Sequence, residues 1–267
     1  MDKAPGAVDK PPSDGGKGPF SVEKPGVRGP SISDVWEVPR AFFRARKALD
    51  RGALTSAREL VRPLLETYGS VTFIRRLAAE ILYASGDPLS AASFFERAAK
   101  KLPRDRAVAV GLVASYAALN RVGDARRASA LFPEHVDVRL ALAWAELAAT
   151  GGDRARGAEI VRDLARDPEL GASRERVAML HALVAIVAAS HGERDRMRVT
   201  LRDAERDSAR LRAPDRAFLG YLCAIALRDA GLRDEARAAF SLAAEQSPES
   251  IGAALALRER AALDIAR

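Results

Sequence analysis

The sequence predicts an all-α protein, a right-handed solenoid of about six stacked helix pairs followed by one further helix. Alanine, leucine, arginine and glutamate dominate the 267 residues and only 6% are aromatic, a composition that favours helix over strand. A Gly or Asn that can end a helix recurs along the chain, and its first three occurrences are 34 residues apart. These turn residues are Gly52, Gly86, Asn120, Gly152, Gly192 and Gly231.

Three columns of mostly small or apolar residues keep the same register around these turns, which indicates that every unit is the same pair of packed helices. They lie seven residues before the turn, five after it and nine after it. Small residues let two helices approach closely, and larger ones fill the space between neighbouring pairs. The columns contain, in that order, Ala45, Ala79, Val113, Ala145, Ala185 and Ala224; Ala57, Ala91, Ala125, Gly157, Met197 and Ala236; and Val61, Phe95, Ser129, Val161, Leu201 and Phe240.

The second half of the unit resembles the tetratricopeptide repeat (TPR) superfamily, whose pattern continues A-x3-F and then Pro. Ala91, Phe95 and Pro103 match it, and the same three residue types recur in the sixth unit. The resemblance covers roughly residues 38 to 250 and implies a stack of helix pairs with a concave groove. Two residues depart from the pattern, Arg44 in a leucine column and Met197 in a small-residue column, and we expect irregular packing in those two units.

Helix start and stop signals define the elements in order. Asp34 and Glu37 have the spacing of a capping box and Pro39 suits a first helical turn, so order is expected to begin near residue 34. The predicted pairs are 38–50 with 54–67, 72–85 with 88–101, 105–119 with 122–132, 136–150 with 154–166, 174–190 with 194–211, and 214–229 with 233–246. The predicted domains are a tail at 1–33, a repeat domain at 34–250 and a capping segment at 251–267, whose helix spans 251–266.

The first 33 residues predict a disordered tail. They are rich in Pro, Gly, Ser and Lys and contain few large apolar groups, so they cannot bury enough surface to offset the entropy of ordering. One interpretation is a solvated linker. The other is a docking peptide, centred on Phe20 or on Ile32 to Trp36, for a partner or for the protein's own groove.

No residue pattern indicates catalysis, a cofactor or a metal, so we expect a protein that is not an enzyme. The single cysteine, Cys223, falls in an apolar column and is expected to be a buried, inert thiol. Packing explains His181 in the fifth unit, and Gly151-Gly152-Asp153 is interpreted as a helix-pair turn. No apolar run approaches the ~18 residues of a membrane span, and the N-terminus has no signal-peptide core. A cytoplasmic location is therefore expected.

The TPR resemblance implies a concave groove lined by the first helix of each pair. An apolar groove suits a peptide or an amphipathic helix of another protein, and the Lys and Asn residues with which some relatives clamp a C-terminal carboxylate are absent. In the alternative interpretation, tight curvature or the tail buries these positions. The candidate groove residues are Phe42, Phe73, Arg76, Glu80, Tyr83, Val110, Arg139, Leu142, Glu146, Met179, Phe218, Tyr221, Ile225 and Arg228.

A net charge of +7 leaves a second function open, a regulator that binds nucleic acid or an anionic surface through Arg-rich helices. In the predicted helix 194–211 an arginine recurs every four residues. Acidic residues stand between these arginines, three positions from a partner, so a locally compensated face is expected there. The interaction scaffold is accordingly the main prediction.

Overall fold

The computed structural model describes residues 32–265, and the side chains of residues 37–265. Thirteen α-helices and no β-strand are present in this part of the chain. They form six consecutive pairs and one last helix, as the period predicts. The helices are α1 (Ile32–Asp50), α2 (Leu54–Tyr68), α3 (Thr72–Ala84), α4 (Pro88–Ala99), α5 (Arg106–Ala118), α6 (Val122–Ser129), α7 (Val136–Ala148), α8 (Arg154–Leu164), α9 (Arg174–Ser190), α10 (Arg194–Ser208), α11 (Ala213–Asp229), α12 (Arg233–Gln246) and α13 (Ile251–Ile265), with a 3₁₀ turn at Leu170–Ala172.

The first helix begins earlier than predicted, at Ile32, so the boundary expected near residue 34 falls inside α1. Pro39, which was predicted to open the helix, lies within it. A proline there removes one backbone hydrogen bond, and the helix nevertheless continues on both sides. The predicted tail, including the docking peptide around Phe20, lies outside the described residues up to position 31.

The turns between paired helices hold one residue in the left-handed region, as predicted. Five of the six are glycines, with φ between 74° and 83°, and the sixth is Asn120 at φ 58°. Asn120 is tolerated because asparagine adopts this conformation more readily than other side-chain-bearing residues. Its amide oxygen accepts a hydrogen bond from the backbone N–H of Thr150 at 3.1 Å. In the fourth turn the residue is Gly151 and not the predicted Gly152.

The three predicted columns form the core of the stack. Every member is buried, and none exposes more than 8% of its surface. Met197 is fully buried in the small-residue column, where its unbranched chain fills the space between helices. Arg44 is exposed, because the first unit has no preceding helix pair in the described chain to cover it.

The solenoid winds so tightly that its last helices reach the turns of its first units. Arg212, just before α11, donates hydrogen bonds to the carbonyls of Leu49 at 3.1 Å and Asp50 at 3.2 Å, at the end of α1. Arg258 in α13 donates to the carbonyl of Ala118, at the end of α5, at 2.8 Å. A cation at a helix C-terminus satisfies free carbonyls and favours the helix dipole. These contacts close the concave side of the solenoid into a cavity.

Candidate peptide-binding cavity

A cavity of about 750 Å³ occupies the concave side. The first helices α3, α5 and α7 form one wall, and the N-terminal turns of α9, α11 and α13 form the other. Most of its lining is apolar because these helix faces point towards the centre of a tightly wound stack. The main apolar lining residues are Tyr83, Val110, Trp144, Met179, Phe218 and Ile251.

A second depression of about 480 Å³ continues the cavity towards the first unit. The two share Tyr83, Val110, Ala114 and Asp137 as lining residues, so they form one groove. The second part runs past Glu80 on α3 and is more polar. An elongated ligand is therefore accommodated better than a compact one.

Aromatic contacts hold one wall of the cavity rigid. The ring of Phe218 meets Trp144 edge to face, with centroids 4.9 Å apart and planes at 85°. Phe218 also lies 6.0 Å from the ring of Tyr221, which in turn lies 6.3 Å from Phe240 in the core. Aromatic pairs at such distances stabilise their arrangement beyond simple burial. The cavity wall is thus fixed before any ligand arrives.

Two ion pairs stand at the rim of the cavity. Arg176 binds both carboxylate oxygens of Asp137, at 2.7 and 2.8 Å. Arg212 binds both oxygens of Asp215, at 2.6 and 3.0 Å. Paired hydrogen bonds of this kind fix side-chain direction as well as charge. Because Arg212 also closes the solenoid onto α1, rim and closure depend on the same side chain.

Glu175 stands at this rim without a direct partner among the described residues. Burial beside the cavity raises the pKa of its carboxyl group, and the negative charge of Asp215 raises it further, while the nearby charge of Arg212 opposes the shift. Glu175 keeps contact with solvent. A cationic group placed near this carboxylate would relieve its unfavourable surroundings.

Glu80, at the polar end of the groove, belongs to a chain of ion pairs. It accepts a hydrogen bond from Arg46 and lies 3.5 Å from Arg76, which also binds Asp105 at 2.6 Å. Burial raises the pKa of Glu80, and the two arginines offset part of that shift. The charge of Glu80 is therefore already matched within the protein.

The structure brings five of the fourteen candidate groove residues to the groove. Tyr83, Val110, Met179 and Phe218 line the main cavity, and Glu80 lines its polar extension. Phe42 and Phe73 lie at the first unit, in edge-to-face contact at 5.7 Å, and are not part of the cavity lining.

Three candidate arginines outside the cavity lining are engaged in ion pairs. Arg76 binds Asp105. Arg139 binds Asp167 at 3.0 Å, and Arg228 binds Asp229 at 2.9 Å.

Four candidates lie in the core and not at the surface of the groove. Leu142 exposes 7% of its surface and Tyr221 2%, and Glu146 and Ile225 are fully buried. In a more open solenoid these helix positions face a groove. Burial by tight winding was the alternative interpretation of the sequence. It does not describe Glu146, whose carboxylate binds Arg126 on α6 and the backbone N–H of Asp153 before α8.

The polar residues of the rim were missed by the sequence prediction. Asp137, Glu175 and Asp215 each lie in the first turn of a first helix, α7, α9 and α11 respectively. The prediction counted positions along the helix bodies and passed over these turns. An acidic residue that recurs in the first turn of three successive units was the available signal.

Among the described residues, no cluster of His, Cys, Asp and Glu could hold a metal ion. Burial raises the pKa of the Cys223 thiol to about 12, with a further contribution from Glu205. Such a thiol stays protonated at neutral pH and is a poor nucleophile. The ring of His181 lies 3.0 Å from the carboxylate of Asp207.

No helix in residues 32–265 is long and apolar enough to cross a membrane.

The arginine face of α10 is compensated only in part. Arg206 lies 3.0 Å from Asp203, and Arg198 reaches Glu235 on α12 at 3.5 Å. Within the described chain, Arg194 and Arg210 make no ion pair, and Arg202 bonds only a backbone carbonyl. No exposed aromatic ring accompanies these arginines on the helix.

Comparison with known proteins gives one structural similarity to describe. No family model matches the sequence, and no curated protein matches it. Among solved structures, a thermophilic TPR protein from Thermus thermophilus is 25% identical, and the match covers 73% of this chain and 100% of that chain with a TM-score of 0.49. The TPR-like architecture described above stands on the turns and buried columns of this structure itself.

Proposed function

We propose that this protein is a non-catalytic interaction scaffold that holds a short apolar segment of another protein in its concave cavity. The observation that carries the proposal is the half-enclosed groove, with an aromatic wall and a charged rim. Pockets that are mainly apolar, with a few fixed polar groups, are the usual form of a binding site. The single cysteine is in keeping with action in the cytoplasm.

The volume of the cavity favours a short segment. Its 750 Å³ lies within the range of about 300–1,000 Å³ typical of small ligand sites. A helix with its side chains is about 10–12 Å across, so a long amphipathic helix does not fit inside. An extended peptide, with apolar side chains against Met179 and Phe218, uses the elongated shape best.

The rim favours a cationic group at one end of that segment. It carries three carboxylates, on Asp137, Glu175 and Asp215, and two guanidinium groups, on Arg176 and Arg212. Arg176 pairs with Asp137, and Arg212 pairs with Asp215. Glu175 is left with no partner of its own in the described chain. A lysine, an arginine or an N-terminal amine of the peptide would complete a third pair.

Selection from a peptide library, followed by binding measurements, tests this function. Peptides selected on the full-length protein should carry an apolar core with an adjacent basic residue, and fluorescence anisotropy should show that Met179→Glu abolishes their binding. Glu175→Lys should weaken the same peptides by charge repulsion. Leu242→Glu, at an exposed position far from the cavity lining, is the matched control and should bind as the wild type does.

Circular dichroism should show that the variants keep their helix content. If the selected peptides bind Met179→Glu as tightly as the wild type, the cavity is not the binding site.

A further inference from the structure

The outer face of α1 carries a line of cations that serves no ion pair in the described chain. Arg40, Arg44, Lys47 and Arg51 follow one another at spacings of four, three and four residues. This places the first three along one face of α1, and Arg51 lies one residue beyond the end of the helix. All four are exposed. We name these residues, together with Phe43 beside them and with Phe73, which contacts the intervening ring of Phe42, the basic face.

The repeat register shows that this line replaces an apolar interface. The residues equivalent to Arg40 in the later units are all apolar and expose no more than 6% of their surface, because each packs on the preceding helix pair. They are Ile74, Val108, Leu140, Leu180 and Leu219. The equivalents of Lys47 in the second and fourth units, Ile81 and Leu147, are buried too. In the first unit no described helix covers these positions.

Solvation of a terminal repeat explains why these positions are polar, but not why they share one sign. Like charges at neighbouring helix positions repel one another and destabilise the helix slightly. On α10, by contrast, acidic residues alternate with the arginines. The nearest acidic residues of α1 are Glu37, before the row, and Asp50, beside its end, and neither forms an ion pair with the four cations in the described chain. Asp50 pairs with Arg46 instead, at 3.1 Å. The row therefore keeps an excess of positive charge, which points to an anionic partner.

One exposed aromatic ring lies beside the cations, and a second is joined to it through the ring of Phe42. Phe43 exposes 68% of its surface and Phe73 exposes 53%. Phe43 is three residues after Arg40 and four before Lys47, so it is a direct neighbour of the row on the helix surface. The ring of Phe42 contacts both phenylalanines edge to face, at 5.9 and 5.7 Å, and fixes their positions.

We propose that the basic face binds single-stranded nucleic acid. Cations in a row track the phosphates, and exposed rings offer surfaces on which unpaired bases stack. The row spans about 16 Å at the rise of an α-helix, enough for a few nucleotides. This site is separate from the cavity, and the proposal does not depend on the peptide-binding function.

The other anionic partners fit the basic face less well. An interfacial helix inserts its apolar side into a membrane, but the apolar side of α1, with Ala45 and Leu49, is buried in the fold. An acidic protein would match the cations and leave Phe43 and Phe73 without a role. A duplex presents no free bases to stack on them.

Fluorescence anisotropy with a labelled oligo(U) of about 20 nucleotides and the full-length protein tests the proposal. With four phosphate contacts, raising the salt from about 50 to about 200 mM should weaken binding roughly 50-fold. The double variant Arg44→Glu, Lys47→Glu should lose binding by a larger factor. The matched control is Arg194→Glu, Arg202→Glu on α10, which changes the net charge equally and should change binding only a few-fold.

Phe43→Ala separates stacking from charge. It should weaken binding about tenfold or more and leave the salt dependence unchanged. The proposal is overturned if the protein does not bind oligo(U) at low salt, if the α10 variant loses as much binding as the α1 variant, or if duplex RNA binds equally well. Binding only to vesicles of phosphatidylcholine and phosphatidylserine would overturn it in favour of a membrane partner.

Discussion

Replacing Gly252 with alanine probes the closest approach between the last helix and the rest of the solenoid. A Cβ added at Gly252 would lie 2.3 Å from the backbone nitrogen of Phe218 and 2.5 Å from the carbonyl carbon of Ala217, both in α11. These are backbone atoms of a packed helix and cannot rotate away. The helix α13 would have to move by roughly 1 Å to regain an ordinary contact distance of about 3.5 Å.

The size of the effect follows from two opposing contributions. Overpacking a well-packed contact costs about 1–3 kcal/mol and sometimes more, and the better helix propensity of alanine returns about 1 kcal/mol. Because the obstacle at Gly252 is backbone, the cost belongs at the upper end of that range. We expect a net loss of about 2 kcal/mol, which lowers the Tm by roughly 4–8 °C in a domain of this size.

Thermal unfolding followed by circular dichroism measures the loss, and hydrogen exchange shows where it arises. The amides of Ile251–Ile265 should exchange faster in Gly252→Ala, while those of Arg154–Leu164 should keep their rates. The matched control is Gly123→Ala in α6, where an added Cβ meets only the end of the Arg127 side chain, at 3.9 Å. That variant should be as stable as the wild type or slightly more stable. A Gly252→Ala protein that melts at or above the wild-type temperature would refute the close packing of α13 on α11.

Three further substitutions test the core and the charges. Ala91→Arg forces a cation into a fully buried helix contact and should cost about 3 kcal/mol or more; an unchanged melting temperature would show that the repeat register is wrong. Glu146→Gln removes a buried carboxylate that Arg126 binds with two hydrogen bonds of 2.7 Å, and should cost about 2 kcal/mol at pH 7. Burial alone would raise the pKa of Glu146, but its hydrogen bonds lower it below 4.5, so its stabilisation is complete above that pH and is lost as the pH falls. Urea titrations at acid pH should therefore bring wild type and variant together. Glu175→Gln should have the opposite effect and raise stability at pH 7, because the raised pKa of Glu175 means that its ionisation above pH 4.5 disfavours the folded state; a loss of stability at pH 7 would contradict this.

The helix pairs could be predicted because their determinants are local and repeat. A turn residue recurs in every unit, and a small residue five positions later and a large one four positions after that recur in most of them, so an exception in one unit is outweighed by the others. Most helix boundaries therefore agree with the structure within a few residues. The exception is the start of α1, where the prediction depended on a capping box and a proline of that unit alone and not on the repeated columns.

The closure of the solenoid could not be predicted in the same way. Arg212 meets the end of α1 and Arg258 meets the end of α5, across 163 and 140 residues of sequence. Arginines are frequent in this chain, and nothing local distinguishes these two from the others. The accumulated angle between successive units decides whether they reach a carbonyl. Small differences in packing at each interface set that angle.

The burial of the two candidate groove residues on α11 has the same origin. Tyr221 and Ile225 occupy positions that face inwards from α11. The periodicity of the sequence predicts this direction, but it does not predict what the side chains meet there. Whether an inward position meets solvent or another helix depends on how far the opposite side of the solenoid stands away. Around α11 the solenoid has closed, with α13 packed on α11 and Arg212 bound to the end of α1. The inward face of α11 is therefore part of the core.

The two proposed surfaces differ in how they arise from the same stack. The cavity exists because late helices meet early turns, so it depends on every unit and should respond to substitutions such as Gly252→Ala that loosen the closure. The basic face lies on α1 and the residue after it, with one ring from α3, so it depends on the first two units alone. Loosening α13 should therefore weaken peptide binding and leave oligonucleotide binding unchanged. Parallel loss of both activities in Gly252→Ala would show instead that the two surfaces form one site.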